Sequence, residues 1–136
     1  MFGGYNDELL SSVSRFESST GVWSECAPMT GKRHQFGCDV VGDKIYLCGG
    51  LDENNKFLNT LEVYDTKTQT FKTLRPMNHA RQDSALVALN GYLYAVGGYS
   101  GDPARLNIVE RYSIENDEWR EVSPMPTKRN GLGMVE

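Results

Sequence analysis

Across 136 residues the chain has only three cysteines, five prolines and two histidines. Cys26, Cys38 and Cys48 are odd in number and follow no C-x-x-C spacing. That argues against a disulfide framework or a zinc site and fits a reducing compartment. Basic charge is also scarce: 14 Lys and Arg against 18 Asp and Glu leave a net charge of -4. A chain without a basic field has no electrostatic reason to bind nucleic acid or an anionic membrane, and neither is expected as a partner. No apolar run approaches the roughly 18 residues of a membrane span. The opening "MFGGYNDELL" lacks the basic and apolar regions of a secretory signal, so a cytoplasmic location is expected. Catalytic signatures are missing as well: no G-x-S-x-G, Walker loop, H-E-x-x-H or Rossmann glycine set occurs. His34 and His79 stand in separate segments and read as loop residues. The loop acids Asp52, Glu53, Glu115, Asp117 and Glu118 are spread as solubilising turn residues are. The expectation is a non-enzyme with no catalytic residue, metal or cofactor.

Glycine and aromatics are plentiful instead, with 14 Gly, seven Tyr, five Phe and two Trp. Aromatic side chains suit a pleated, half-buried surface and glycine supplies positive φ, so short strands with tight turns and an all-β fold are expected. The glycines recur in pairs: Gly3-Gly4, Gly49-Gly50 and Gly97-Gly98, offset by 46 and then 48 residues. Other positions keep step at 48: Phe16, Tyr64 and Tyr112; Trp23, Phe71 and Trp119; Arg33, Arg81 and Arg129; and three Pro-Met dipeptides. Columns that agree without drift define a structural repeat. The first copy is two residues shorter between its glycines and its aromatic, in "YNDELLSSVSR", and that segment reads as a loop.

Within a unit, "QFGCDVV" and "KIYLCGG" flank Gly42-Asp43, and "SALVAL" and "YLYAVGG" flank Asn90-Gly91. Both read as hairpins with two-residue turns. Such a turn sets Cys38 opposite Leu47 and points Cys48 to the other face, so no bridge joins the two thiols. A third strand ("LEVYD", "IVERYS") and a fourth ("FKTL", "WREV") follow, giving four-stranded antiparallel sheets. The nearly continuous "IYLC" and "LYAV" read as strands covered on both faces, and the alternating "LEVYD" and "FKTL" as outer strands with one wet side.

The double glycine, the later tyrosine and tryptophan, the Pro-Met and the arginine opening the next unit together resemble the kelch repeat, over essentially the whole chain. That resemblance implies blades of a β-propeller, stacked radially with their aromatic faces against neighbours. In its terms residues 1–31 are a partial blade, 32–79 and 80–127 complete blades, and 128–136 the first strand of a further one. Phe16 in place of tyrosine and Phe71 in place of tryptophan depart from the pattern but keep an aromatic filler. The double glycines turn the chain steeply where a Cβ would clash, and the recurring arginines are expected to bond loop carbonyls as scaffold.

Two complete blades and two pieces fall short of the four to eight that close a ring, so the chain is expected to be part of a larger propeller. Alternatively, two copies pair into a six-bladed ring. Function is sought where the copies differ. After the arginines stand His34-Gln35, Gln82-Asp83 and Asn130-Gly131; after the glycines stand Tyr5, Leu51 and Tyr99, with Lys56 and Arg105 in the loops beyond. The end of a second strand and the start of a first share one end of a hairpin, which puts these residues on one rim suited to a protein partner. The arrangement is most similar to BTB-BACK-kelch proteins, substrate adaptors of cullin-3 ubiquitin ligases. By that resemblance the rim captures a segment of a target protein through Tyr5, Tyr99, Arg105, His34, Gln82 and Asn130, and cullin-3 is met only through BTB and BACK domains that this chain lacks. The alternatives are an actin-associated kelch protein, or an oxidase or isomerase whose catalytic residues lie in other blades.

Overall fold

A computed structural model of the chain describes residues 1–101 and 105–134. It is all-β, with three antiparallel sheets. The first contains β1 (Phe2–Tyr5), β2 (Leu9–Glu17) and β3 (Val22–Cys26). The second contains β4 (Gly37–Val41), β5 (Lys44–Cys48), β6 (Leu61–Asp65) and β7 (Thr70–Leu74). The third contains β8 (Ala85–Leu89), β9 (Tyr92–Val96), β10 (Val109–Ser113) and β11 (Glu118–Val122). Each sheet is a meander whose spatial order follows the chain.

Turn chemistry sets the registers. Asn90 and Gly91 have φ of 50° and 81°, the type I′ geometry that matches strand twist, and they close Leu89 against Tyr92. In the Gly42-Asp43 turn only Gly42 has positive φ (58°), the pattern of a type II′ turn, and it closes Val41 against Lys44, which puts Cys38 opposite Leu47. All three cysteines are free.

The first sheet differs from the expectation of a loop before its aromatic. β2 begins at Leu9, and the connection contracts to Asn6–Glu8, with Asp7 at φ 70°. The two-residue deletion lets the chain pair back at once, Tyr5 against Leu9 and Gly4 against Leu10. The longer second unit instead keeps an irregular loop before β6.

The sheets stack face to face. Phe2 of the first sheet packs edge-on against Tyr64 (5.6 Å) and Phe71 (6.3 Å) of the second. The indole N–H of Trp119 in the third donates to the Arg75 carbonyl of the second at 2.8 Å. Near the axis β4 lies against β8, so closely that a Cβ on Gly37 would sit 3.0 Å from Leu86. The main core fills the space between the second and third sheets with Cys48, Leu61, Val63, Leu86, Leu93, Tyr112 and Trp119.

Two expectations about burial are corrected. The third strands of the two four-stranded sheets, β6 and β10, are largely buried on both faces, including Glu62 and Glu110; the alternating charge in "LEVYD" marks a buried ion pair, whereas β7 and β11 do keep wet positions. The aromatic column is not buried throughout either. Trp119 is 8% exposed but Trp23 is 56% exposed, with Phe16 beside it. The aromatic face of each sheet is covered by the sheet before it, and none in this chain covers the first. Residues 128–134, expected to begin the first strand of a further blade, form no strand; 135 and 136 lie outside the described residues.

Candidate functional site

The rim is assembled by the double glycines. Gly50 and Gly98 both have φ of 101°, and a Cβ there would come within 2.6 Å of the His34 and Gln82 carbonyls respectively. Only glycine lets the chain leave the second strand close enough to pair with the residue after the arginine. That pairing is a short two-way bridge. His34 N–H donates to Leu51 O at 3.2 Å and Leu51 N–H to His34 O at 3.0 Å; Gln82 and Tyr99 exchange the same two bonds at 2.9 Å each. Leu51 and Tyr99 are then bridged on their other side by Phe57 and Arg105. Tyr99, Gln82 and Arg105 are thus brought together at one blade, and His34 with Leu51 at its neighbour.

The side chains are not equally available. Tyr5 is 70% exposed, and Gln35, Lys56, Arg105 and Asn130 are exposed too. Tyr99 is half-buried and packs edge-on against Phe57 at 5.8 Å, across the blade boundary. Sequence reasoning passed over Phe57, although an aromatic in an otherwise polar loop was a signal. His34 is also half-buried, and its Nδ1 is buried with no hydrogen-bond partner.

Gln35 and Asp83 do more scaffold work than expected. Asp83 N–H donates to Gln35 O, and Gly131 N–H to Asp83 O, each at 2.9 Å. All three residues have positive φ, so one backbone thread links successive blades. The Asp83 carboxylate accepts from the side-chain amides of Gln82 (3.1 Å) and Gln35 (3.4 Å). The first two blades leave a groove between them on this face, lined by Tyr5, Asp7, Glu8, Lys32, His34, Gln35 and the Asp52–Asn55 loop. Within that loop Asp52 Oδ1 accepts from the N–H groups of Asn54 and Lys56, and Lys32 approaches Glu53 at 4.0 Å. Asp7 and Glu8 stay exposed.

Beneath the rim lie the column arginines. Arg33 and Arg81 each have their backbone on one blade and their side chain directed to the next. Arg33 N–H donates to Leu10 O of the first blade, while its guanidinium reaches Thr60 Oγ1 (3.1 Å) and Glu62 (2.9 Å) of the second. Arg81 donates to Leu58 O of the second blade and meets Gly97 O (2.9 Å), Ile108 O (3.3 Å) and Glu110 of the third. Carbonyl bonding was expected; the buried glutamates were missed, though they too recur at 48. The guanidinium of Arg129 is exposed, with Nε on Thr127 Oγ1 at 2.8 Å.

Among the described residues, no group of three or more His, Cys, Asp or Glu is placed to hold a metal ion. His79 Nε2 lies 2.7 Å from Glu121 Oε1, a contact between neighbouring blades. Stacked meanders with a variable loop rim over a recurrent scaffold define a β-propeller repeat module for protein interaction. The chain belongs to the KLHDC2/KLHL20/DRC7 kelch-repeats family, whose model matches residues 1–135. No curated protein sequence matches it.

Proposed function

We propose that this module captures a segment of a target protein on its rim and serves as the substrate-recognition surface of a cullin-3 ubiquitin ligase adaptor in the cytoplasm. The observation that carries the reading is the groove between the first two blades, where the exposed Tyr5 ring stands beside His34 and Gln35. An aromatic ring at the mouth of a polar groove provides contact area at low entropic cost, and the amides and imidazole give orientation. Tyr99, Gln82 and Arg105 extend the same surface to the next blade, with Asn130 and Lys56 flanking. Cullin-3 would be engaged by BTB and BACK domains of the complete protein.

Two experiments test the two halves of this reading. Selection of displayed peptides on the folded chain is expected to return a sequence class whose binding falls at least about tenfold in Tyr5→Ala, without a change in melting temperature. Binding indifferent to Tyr5, Gln35 and Arg105 together would remove the rim from the function. Affinity capture of the complete gene product is expected to co-purify cullin-3, whereas this chain alone does not. A complete product that lacks cullin-3 would reject the adaptor half and leave the rim standing.

A further inference from the structure

At both internal blade boundaries a buried arginine of one blade meets a buried glutamate of the next, Arg33 with Glu62 and Arg81 with Glu110. Each glutamate stands two residues before the aromatic of its third strand. Arg129 holds the same position on the third blade: its N–H donates to Leu106 O as Arg81 does to Leu58 O, and Gly98 N–H donates to Arg129 O as Gly50 does to Arg81 O. The corresponding position of the first blade, two before Phe16, is Ser14.

The two open faces of this chain are therefore mismatched. The first sheet exposes Phe16, Val22 and Trp23, an apolar surface that favours burial against another sheet. Closing two copies into a ring would place the third blade of one against that surface of the other, and Arg129 would then meet Ser14. A guanidinium buried without a carboxylate is strongly unfavourable. Glu25, cross-strand from Ser14, stands at a position whose counterpart does not meet the arginine. Its counterpart Glu121 engages His79 while Arg81 takes Glu110, and the counterpart of His79 in the third blade is Thr127.

We propose that position 14 sets which blade the Arg129 face accepts: the face fits a further repeat carrying a glutamate there and refuses a second copy of this chain. Sedimentation equilibrium over a concentration series tests this with Ser14→Glu, Arg129→Met and the double variant. The wild-type chain should stay monomeric. Ser14→Glu supplies the missing carboxylate and Arg129→Met removes the orphan charge, so each alone should raise the self-association constant at least about tenfold. The double variant should fall back toward wild type, because it buries a lone glutamate, and that reversal identifies the pair. A wild-type chain that already forms a closed dimer would overturn the proposal. So would unchanged association in both single variants, or a double variant as tight as Ser14→Glu. Arg129 is exposed and can be changed without disturbing the core; should Ser14→Glu fail to fold, Arg129→Met against wild type decides alone.

Discussion

Arg81 and Glu110, 29 residues apart in sequence, form an ion pair with no exposure of either side chain. Glu110 also accepts the backbone N–H groups of Asn78 (2.7 Å) and His79 (3.3 Å), and Arg81 bonds two carbonyls of the third blade. The pair is thus a fully engaged polar network joining two blades. Removing one partner strands a charge in the core: Glu110→Ala should cost about 3–5 kcal/mol. In the double variant Arg81→Met/Glu110→Leu no charge is buried, and the loss should fall below the sum of the two single losses, the remainder coming from backbone groups of the two blades left without their partners. Urea unfolding reads both, and a double variant as damaged as the sum of the singles would deny the coupling.

The two tryptophans should behave oppositely. Trp119→Ala removes a buried ring and its bond to Arg75 O and should cost about 3–5 kcal/mol. Trp23→Ala removes a ring that is mostly exposed beside Phe16 and should cost under about 1 kcal/mol. Iodide quenching gives an independent check: the quenchable fluorescence should disappear in Trp23→Phe and dominate in Trp119→Phe. Equal quenching of both would contradict the uncovered face of the first sheet.

What the sequence revealed follows from how local each determinant is. Turn residues such as Asn90-Gly91 act through their own φ, so the hairpins and their registers were legible, down to Cys38 opposite Leu47. That the residues after the double glycines and after the arginines share one end of a hairpin followed from strand direction, whereas the bridges that join them, His34 to Leu51 and Gln82 to Tyr99, were not foreseen. Glu62 was misread because burial was inferred from side-chain polarity, and Glu110 was passed over, while the arginines that neutralise them lie 29 residues away. The signal existed as two columns at the same spacing, one of each sign, and needed to be read as a pair. Trp23 was misjudged for a different reason. A repeat column specifies which face a ring points to, and whether another sheet lies there is not a property of that repeat. Phe57 became part of the rim only through Tyr99 of the next blade.

The thiols report the packing of β5. Cys48 is fully buried, and that burial pushes its thiol up to about 12, only partly offset by the Arg81 charge. At pH 8 it should have almost no thiolate and no access to reagent. In titration of the folded chain with an aromatic disulfide reagent, exposed Cys38 and half-buried Cys26 should react, with Cys48 following only on unfolding. Burial also raises Cys38, with the neighbouring Asp39 adding to it, so its reaction should quicken as pH rises. Three thiols reacting in one fast phase would place β5 outside the core.

Acid stability should depend on Asp117, at the positive-φ position of the turn between β10 and β11. Its carboxylate accepts the Tyr112 hydroxyl at 2.7 Å and the Arg75 N–H at 3.0 Å. The first and then the second of these hold it below the ordinary value of 3.8. A carboxylate whose folded value lies below its unfolded one stabilises the fold fully above 3.8 and loses that contribution as pH falls through the lowered value. Asp117→Asn should therefore flatten the acid limb of a stability profile below about pH 3.8 and leave the shape near neutrality unchanged. Because Asp117 is solvent-exposed, the change in slope should be modest. Tyr112→Phe removes the donor and should flatten the same limb, although Tyr112 is buried and Asp117 is not. If only one of the two substitutions altered the acid limb, the carboxylate would owe its lowered value to something other than this hydrogen bond.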